Sequence, residues 1–136
     1  MSEAWVLVLT PELTMLTATL LLAFLHIFLP AAGRVMANGF GWAAGPRDEA
    51  PKKTVTTLRL ERAQANLWET LPIFIGLVLT VHVAGEEGPL SFWATQAYFW
   101  ARLIYVPMYA FGSPLRPLVW LFAAGALVAL FVALLT

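Results

Sequence analysis

Four long apolar runs alternate with short stretches that hold most of the charge. The first, Leu13–Gly33, carries no formal charge unless His26 is protonated, and its 21 residues match the roughly 20 needed for a helix to cross a bilayer. Pro11 suits the first turn of that helix, and Pro30-Ala31-Ala32-Gly33 loosens its end. A polar stretch follows, with Asn38-Gly39, Gly41, Gly45-Pro46, Arg47-Asp48-Glu49 and Pro51-Lys52-Lys53. A connection of that length is uncommon unless it has a job. The second run is amphipathic at its entrance and apolar later, and ends at the acidic turn Gly85-Glu86-Glu87-Gly88-Pro89. The third holds Arg102 in its interior and stops at Gly112-Ser113-Pro114, and the fourth has no charge beyond Arg116. The pattern predicts helices at about 11–33, 56–84, 89–111 and 115–135, with a loop at about 34–55. Met1–Glu12 is a short lead in which Trp5 is a candidate interfacial anchor.

Composition settles the class. Of the 136 residues, 60% are hydrophobic and 12% charged, against roughly 25% charged in an average soluble domain. One domain of this size could not hide that apolar load, so the expected fold is an all-α integral membrane four-helix bundle. Net charge is zero, which gives no general attraction to nucleic acid, and no nucleic-acid motif is present. Cysteine is absent, which removes disulfides, thiolate metal sites and a cysteine nucleophile. The N-terminus lacks the basic flank of a signal peptide, so the first helix is expected to be retained.

Lysine and arginine placement predicts the orientation. Six of the eight basic residues, Arg34, Arg47, Lys52, Lys53, Arg59 and Arg62, lie between the first helix and the mouth of the second. Arg116 follows the last turn, whereas the second-to-third turn has only Glu86 and Glu87. The long loop and last turn are therefore expected on the cytoplasmic side, with both termini outside.

Candidate chemistry lies in two polar stripes. Arg62, Asn66 and Glu69 are spaced four and three residues apart, within roughly 60° on one helix face. Tyr98, Arg102, Tyr105 and Tyr109 repeat the device on the third helix. Measured from the cytoplasmic side, Glu69 and Arg102 lie at similar depths, roughly 15 and 14 Å at ~1.5 Å per residue. Asn66 then matches the level of Tyr105, and Arg62 that of Tyr109. One reading is a buried Glu69–Arg102 pair whose remaining hydrogen-bond groups are satisfied by Asn66 and the tyrosines. The other is a polar cavity for an anionic ligand, favoured because three arginines approach one carboxylate and arginine suits bidentate carboxylate binding. Pro107 is expected to bend the third helix and free backbone carbonyls.

The remaining candidates have plainer readings. His26 fits a hydrogen-bonded intramembrane residue, and His82 an interfacial one. Two distant histidines do not make a metal site. Lys52-Lys53 marks topology or touches anionic lipid. Phe92, Trp93, Trp100 and Trp120 suit packing and belt positions. Ser113 is a turn residue without a base beside it.

The segment Arg62-Ala63-Gln64-Ala65-Asn66-Leu67-Trp68-Glu69 resembles the R-A-x-x-N-x-x-E signature of the MAPEG family, membrane-associated proteins in eicosanoid and glutathione metabolism. Arg102-Leu-Ile-Tyr105-Val-Pro-Met-Tyr109 resembles its third-helix pattern, and Pro114-Leu115-Arg116 the segment with the family's catalytic arginine. Ala37-Asn38 resembles a further short signature. The similarity covers nearly the whole chain and suggests a short bacterial member, hence an inner-membrane location. It implies a homotrimer with glutathione, the co-substrate, in clefts between neighbours that open toward the cytoplasm. It implies that Arg62, Asn66, Glu69, Arg102, Tyr105 and Tyr109 hold the tripeptide while Arg116 stabilises its thiolate. A lipophilic electrophile would arrive from the bilayer. The chain differs from the prostaglandin synthase branch at Ala65, Tyr105 and Pro117, where that branch has arginine, histidine and serine.

These readings lead to a glutathione-dependent transferase or peroxidase acting on lipophilic electrophiles or lipid hydroperoxides. The alternative is a non-catalytic trimer binding a lipid or anionic metabolite in the same clefts. A small transporter coupled through Glu69 fits least, because no polar path continues outward except His82.

Overall fold

The computed structural model describes residues 9–136; the anchor expected at Trp5 lies outside them. Four helices make up the described chain: α1 (Pro11–Ala44), α2 (Val55–Val83), α3 (Pro89–Ala110) and α4 (Arg116–Leu135). No strand occurs among the described residues. Thr10 and Thr54 cap the first two helices, their hydroxyls accepting the backbone N–H groups of Leu13 and Thr57. Gly85 and Gly112, at φ 72° and 71°, close α2 and α3. Each turn shows the paired carbonyl bonds of a Schellman ending.

The helices are arranged as a diamond. α2 and α3 touch each other and both outer helices, while α1 and α4 do not meet. One core fills the half nearer the α2–α3 turn, with Phe74, Val78, Val81, Tyr98 and Leu130 fully buried. A smaller cluster of Ala23, Leu67 and Leu71 continues toward the other end. Large apolar side chains face outward all around, among them Phe24, Phe28, Trp93, Leu121 and Phe122. Such surface is far beyond what a water-facing monomer leaves uncovered.

α1, α2 and α4 are each long and apolar enough to cross a membrane. α3 has the length, 22 residues, but is not apolar enough to meet this standard. Four spans were expected from the sequence, so hydropathy supports three of them directly. The physical reason is how α3 distributes its polarity. Ser91, Thr95, Tyr98, Arg102 and Tyr105 are buried against the other helices, while Trp93, Trp100, Leu103 and Ile104 face outward.

The first helix corrects the predicted loop at about 34–55. α1 continues through Arg34 to Ala44, interrupted only by left-handed Gly39 at φ 85°, so the true connection is residues 45–54. Its 34 residues span roughly 50 Å, well beyond a hydrocarbon layer of roughly 30 Å. Tertiary bonds hold the extension. The Asn38 side chain accepts the Lys52 N–H and donates to the Lys52 carbonyl, both at 2.8 Å. Trp42 Nε1 donates to the Glu49 carbonyl. Arg34 and Lys53 both reach Glu61, at 2.7 and 2.9 Å, which locks the extension and connection onto α2.

Two predictions arise here. A Cβ at Gly33 would collide with the Oγ1 of buried Thr57, so this glycine sets how closely α1 and α2 approach. Gly33→Leu is expected to destabilise the folded protein by about 1–3 kcal/mol, read as a lowered thermal midpoint. At the opposite end, Glu87 accepts from Thr10 Oγ1 at 2.6 Å and meets His82 Nδ1 at 2.7 Å. Burial alone would raise the Glu87 pKa. The hydrogen bonds with Thr10 and His82, with the charge of a protonated His82, outweigh it and hold the carboxyl below its ordinary value. A depressed folded-state pKa stabilises above the unfolded value and loses that contribution as pH falls through the folded one. Wild type is therefore expected to lose thermal stability at and below the ordinary carboxylate range more steeply than Glu87→Gln does.

Candidate functional site

A cavity of about 490 Å³ opens beside the end of the bundle that carries the α1–α2 connection and the α3–α4 turn. Its volume lies in the range of small-molecule sites, roughly 300–1,000 Å³. α2 supplies Arg62, Ala65, Asn66 and Glu69 to its wall; α3 supplies Tyr105 and Tyr109; α4 supplies Arg116, Pro117 and Trp120. Six of the seven residues to which the family resemblance gives a site role are thus brought together. Arg102, the seventh, stands behind the wall.

The α2 contribution follows from helical spacing. The buried stripe of this helix runs through Ala63, Leu67, Leu71 and Phe74. Asn66 flanks it, and Glu69 lies roughly 60° further round toward the exposed face. This azimuth goes against the first of the two readings of the stripes, the buried Glu69–Arg102 pair. Among the described residues, neither side chain has an ion-pair partner within 4.0 Å. Arg102 instead donates from Nη1 to Asn66 Oδ1 at 2.8 Å, with its guanidinium 4.5 Å from the Tyr105 ring centroid. It is 2% exposed, and its Nε finds no hydrogen-bond partner.

Tyr98 also leaves the predicted stripe. It is fully buried, stacked on Phe74 at 4.0 Å between centroids, and its hydroxyl meets Thr70 Oγ1 at 2.7 Å. Tyr98 is part of the core. His26 behaves as expected of an intramembrane histidine, with Nε2 3.1 Å from the Leu60 carbonyl.

The aromatic wall positions the last arginine. Tyr105 and Tyr109, one helical turn apart, meet edge to face at 5.6 Å. The Arg116 guanidinium lies 4.1 Å from the Tyr109 centroid, within cation–π range. Arg116 is also the first residue of α4, followed by Pro117 in the first turn. A cation is disfavoured at the positive end of a helix dipole. An anion there would meet both the guanidinium and the helix end, so the arrangement suits negative charge from a ligand. Trp120, assigned to the belt from sequence, forms part of the same wall. It is one helical turn beyond Arg116, the one signal that could have found it.

The fold and site define an all-α membrane protein with a cationic cavity at one end of its bundle. The chain belongs to the MAPEG family, whose family model matches residues 13–136. Comparison with curated proteins and with solved structures returns no match.

Proposed function

We propose that the cavity binds glutathione and that the chain is a membrane-embedded glutathione-dependent transferase or peroxidase, acting on lipophilic electrophiles or lipid hydroperoxides. The observation that carries this reading is the imbalance of charge. Arg62 and Arg116 line the cavity and Arg102 backs it, against the single carboxylate of Glu69, with no ion pair among them. Glutathione supplies two carboxylates, an ammonium and a thiol. In this reading the arginines take the carboxylates, Glu69 takes the ammonium, and Asn66, Tyr105 and Tyr109 orient the peptide. Arg116 stabilises the thiolate, raising the nucleophilic fraction at neutral pH. The thiolate then attacks the electrophile, which gives a thioether as its leaving group departs.

Two further features belong to the reading. Arg62, Ala65 and Glu69 are exposed on the single chain, at a level where lipid cannot satisfy charge. A homotrimer in which a neighbour covers this face resolves that conflict. Seven of the eight basic residues gather at the cavity end, which favours a cytoplasmic opening and both termini outside a bacterial inner membrane.

The test is thermal unfolding of the detergent-purified protein with and without millimolar glutathione, for wild type and Glu69→Gln. A ligand that binds only the folded state raises its stability by mass action. A rise in wild type that is lost in Glu69→Gln is the expected result. No rise, with Glu69→Gln itself less stable, would make the polar wall structural. Protection without turnover of any electrophile would leave the non-catalytic reading.

A further inference from the structure

We propose that Arg59 is a positioning residue that fixes the α3–α4 turn and thereby the orientation of Arg116; the inference rests on the role given to Arg116 above. Arg59 lies on α2, three residues before Arg62, but does not line the cavity. Among the described residues it has no carboxylate within ion-pair distance. Its guanidinium goes instead to the end of α3, where Nη1 donates to the carbonyl of Ala110 at 3.2 Å. The last carbonyls of a helix lack intrahelical donors and carry the negative end of its dipole, so a cation is favoured there.

A second contact makes this more than a cap. A Cβ built on Gly112 would lie 3.2 Å from the Cζ, Nη1 and Nη2 of Arg59, so the guanidinium rests against the backbone of the turn. Gly112 holds a left-handed φ of 71°, and its N–H bonds the carbonyl of Tyr109, the residue on which Arg116 stacks. The next N–H, of Ser113, bonds the carbonyl of Met108 at 2.8 Å. Arg116 begins α4 three residues later. Within the described chain, Arg59 is the one side chain from outside the α3–α4 hairpin that hydrogen-bonds residues 110–115. It therefore ties the α2 wall, with Arg62, to the corner that aims Arg116.

The experiment compares Arg59→Met, Arg59→Lys and Arg116→Ala with wild type. It reads the ultraviolet absorbance of bound glutathione thiolate and the pH profile of turnover with chlorodinitrobenzene. Arg59→Met keeps the aliphatic stem and removes the charge and the donor. It is expected to displace both thiolate formation and kcat/KM to higher pH and to lower kcat roughly ten- to a hundred-fold, as small misplacements of reacting groups do. Protection by glutathione against heat should persist. Arg59→Lys keeps the charge but not the fork that spans Ala110 and Gly112, so it should show a smaller shift in the same direction. It carries the test if the methionine variant fails to fold. A lowered melting temperature with unchanged pH profiles in both variants would reduce Arg59 to a helix cap and overturn the inference. If those profiles stay unchanged while Arg116→Ala loses the thiolate, only this inference fails. No thiolate in wild type removes the role of Arg116 and the inference with it.

Discussion

Arg116→Ala is expected to lower kcat for glutathione conjugation by about 10²–10³-fold, the usual cost of removing one preorganised donor from a developing or resident anion. The protein should stay folded. Arg116 starts α4, where its charge opposes the helix dipole, and its evident partner is the Tyr109 ring rather than a carboxylate. Removing it takes away an unfavourable charge as well as a cation–π contact, and the two effects oppose each other. Thermal unfolding of the variant should therefore match wild type within about 1 kcal/mol. The pH profile provides the sharper measurement. Without the guanidinium the bound thiol should ionise only at higher pH, so residual activity should rise with alkalinity where wild type has already levelled. Arg116→Lys should restore part of the rate, because an ammonium keeps the charge but loses the planar face that stacks on Tyr109. Full turnover in Arg116→Ala would remove the thiolate role from this residue.

Much of the fold was legible in the sequence because membrane helices announce their length and their ends. The acidic pair Glu86-Glu87 at the second turn and Ser113-Pro114 with Arg116 at the third, together with Gly85 and Gly112, bracket α3 and α4 to within a residue or so. The extension of α1 was not legible. Asn38-Gly39, Gly41 and Gly45-Pro46 carry the local chemistry of a loop, and Gly39 does leave the helical region. What keeps the segment helical is non-local: Asn38 clamping Lys52, Trp42 bonding Glu49, and Arg34 pairing with Glu61. At the cavity, helical periodicity accounts for five wall residues, Arg62, Asn66 and Glu69 on one face of α2 and Tyr105 and Tyr109 on one face of α3, whereas Arg116 was reached through its place after the last turn and the family resemblance. Depth fixes only one coordinate, however. Glu69 and Arg102 share a level but not an azimuth, so Asn66 takes the bond that charge alone would have given to Glu69. Trp120 was missed for a related reason: an aromatic near the end of a span suits the membrane interface and a cavity wall equally well.

Arg102→Met should separate stability from binding most cleanly. Arg102 is almost completely buried, yet its polar contacts are one hydrogen bond to Asn66 and the face of Tyr105, with Nε unsatisfied. An intramembrane charge held this way is costly. Replacing a buried ion pair by apolar side chains of similar volume is often neutral or stabilising, by about 1–4 kcal/mol, and the same relief of desolvation applies to a charge without a counter-ion, offset by Asn66 losing its donor. Methionine is flexible enough to fill the space between α2 and α3. The variant without ligand is therefore expected to unfold at the same temperature as wild type or higher. Glutathione should no longer protect it, because Asn66 loses its anchor and the cavity loses the third positive charge that offsets two carboxylates and one ammonium. Unfolding curves with and without glutathione decide the matter. Loss of about 3–5 kcal/mol in the unliganded variant, the cost of breaking a buried polar pair, would make Arg102 a structural tie. A stable variant that ignores glutathione would mean that the chain keeps a costly buried charge for its ligand, the pattern expected where function is retained against stability.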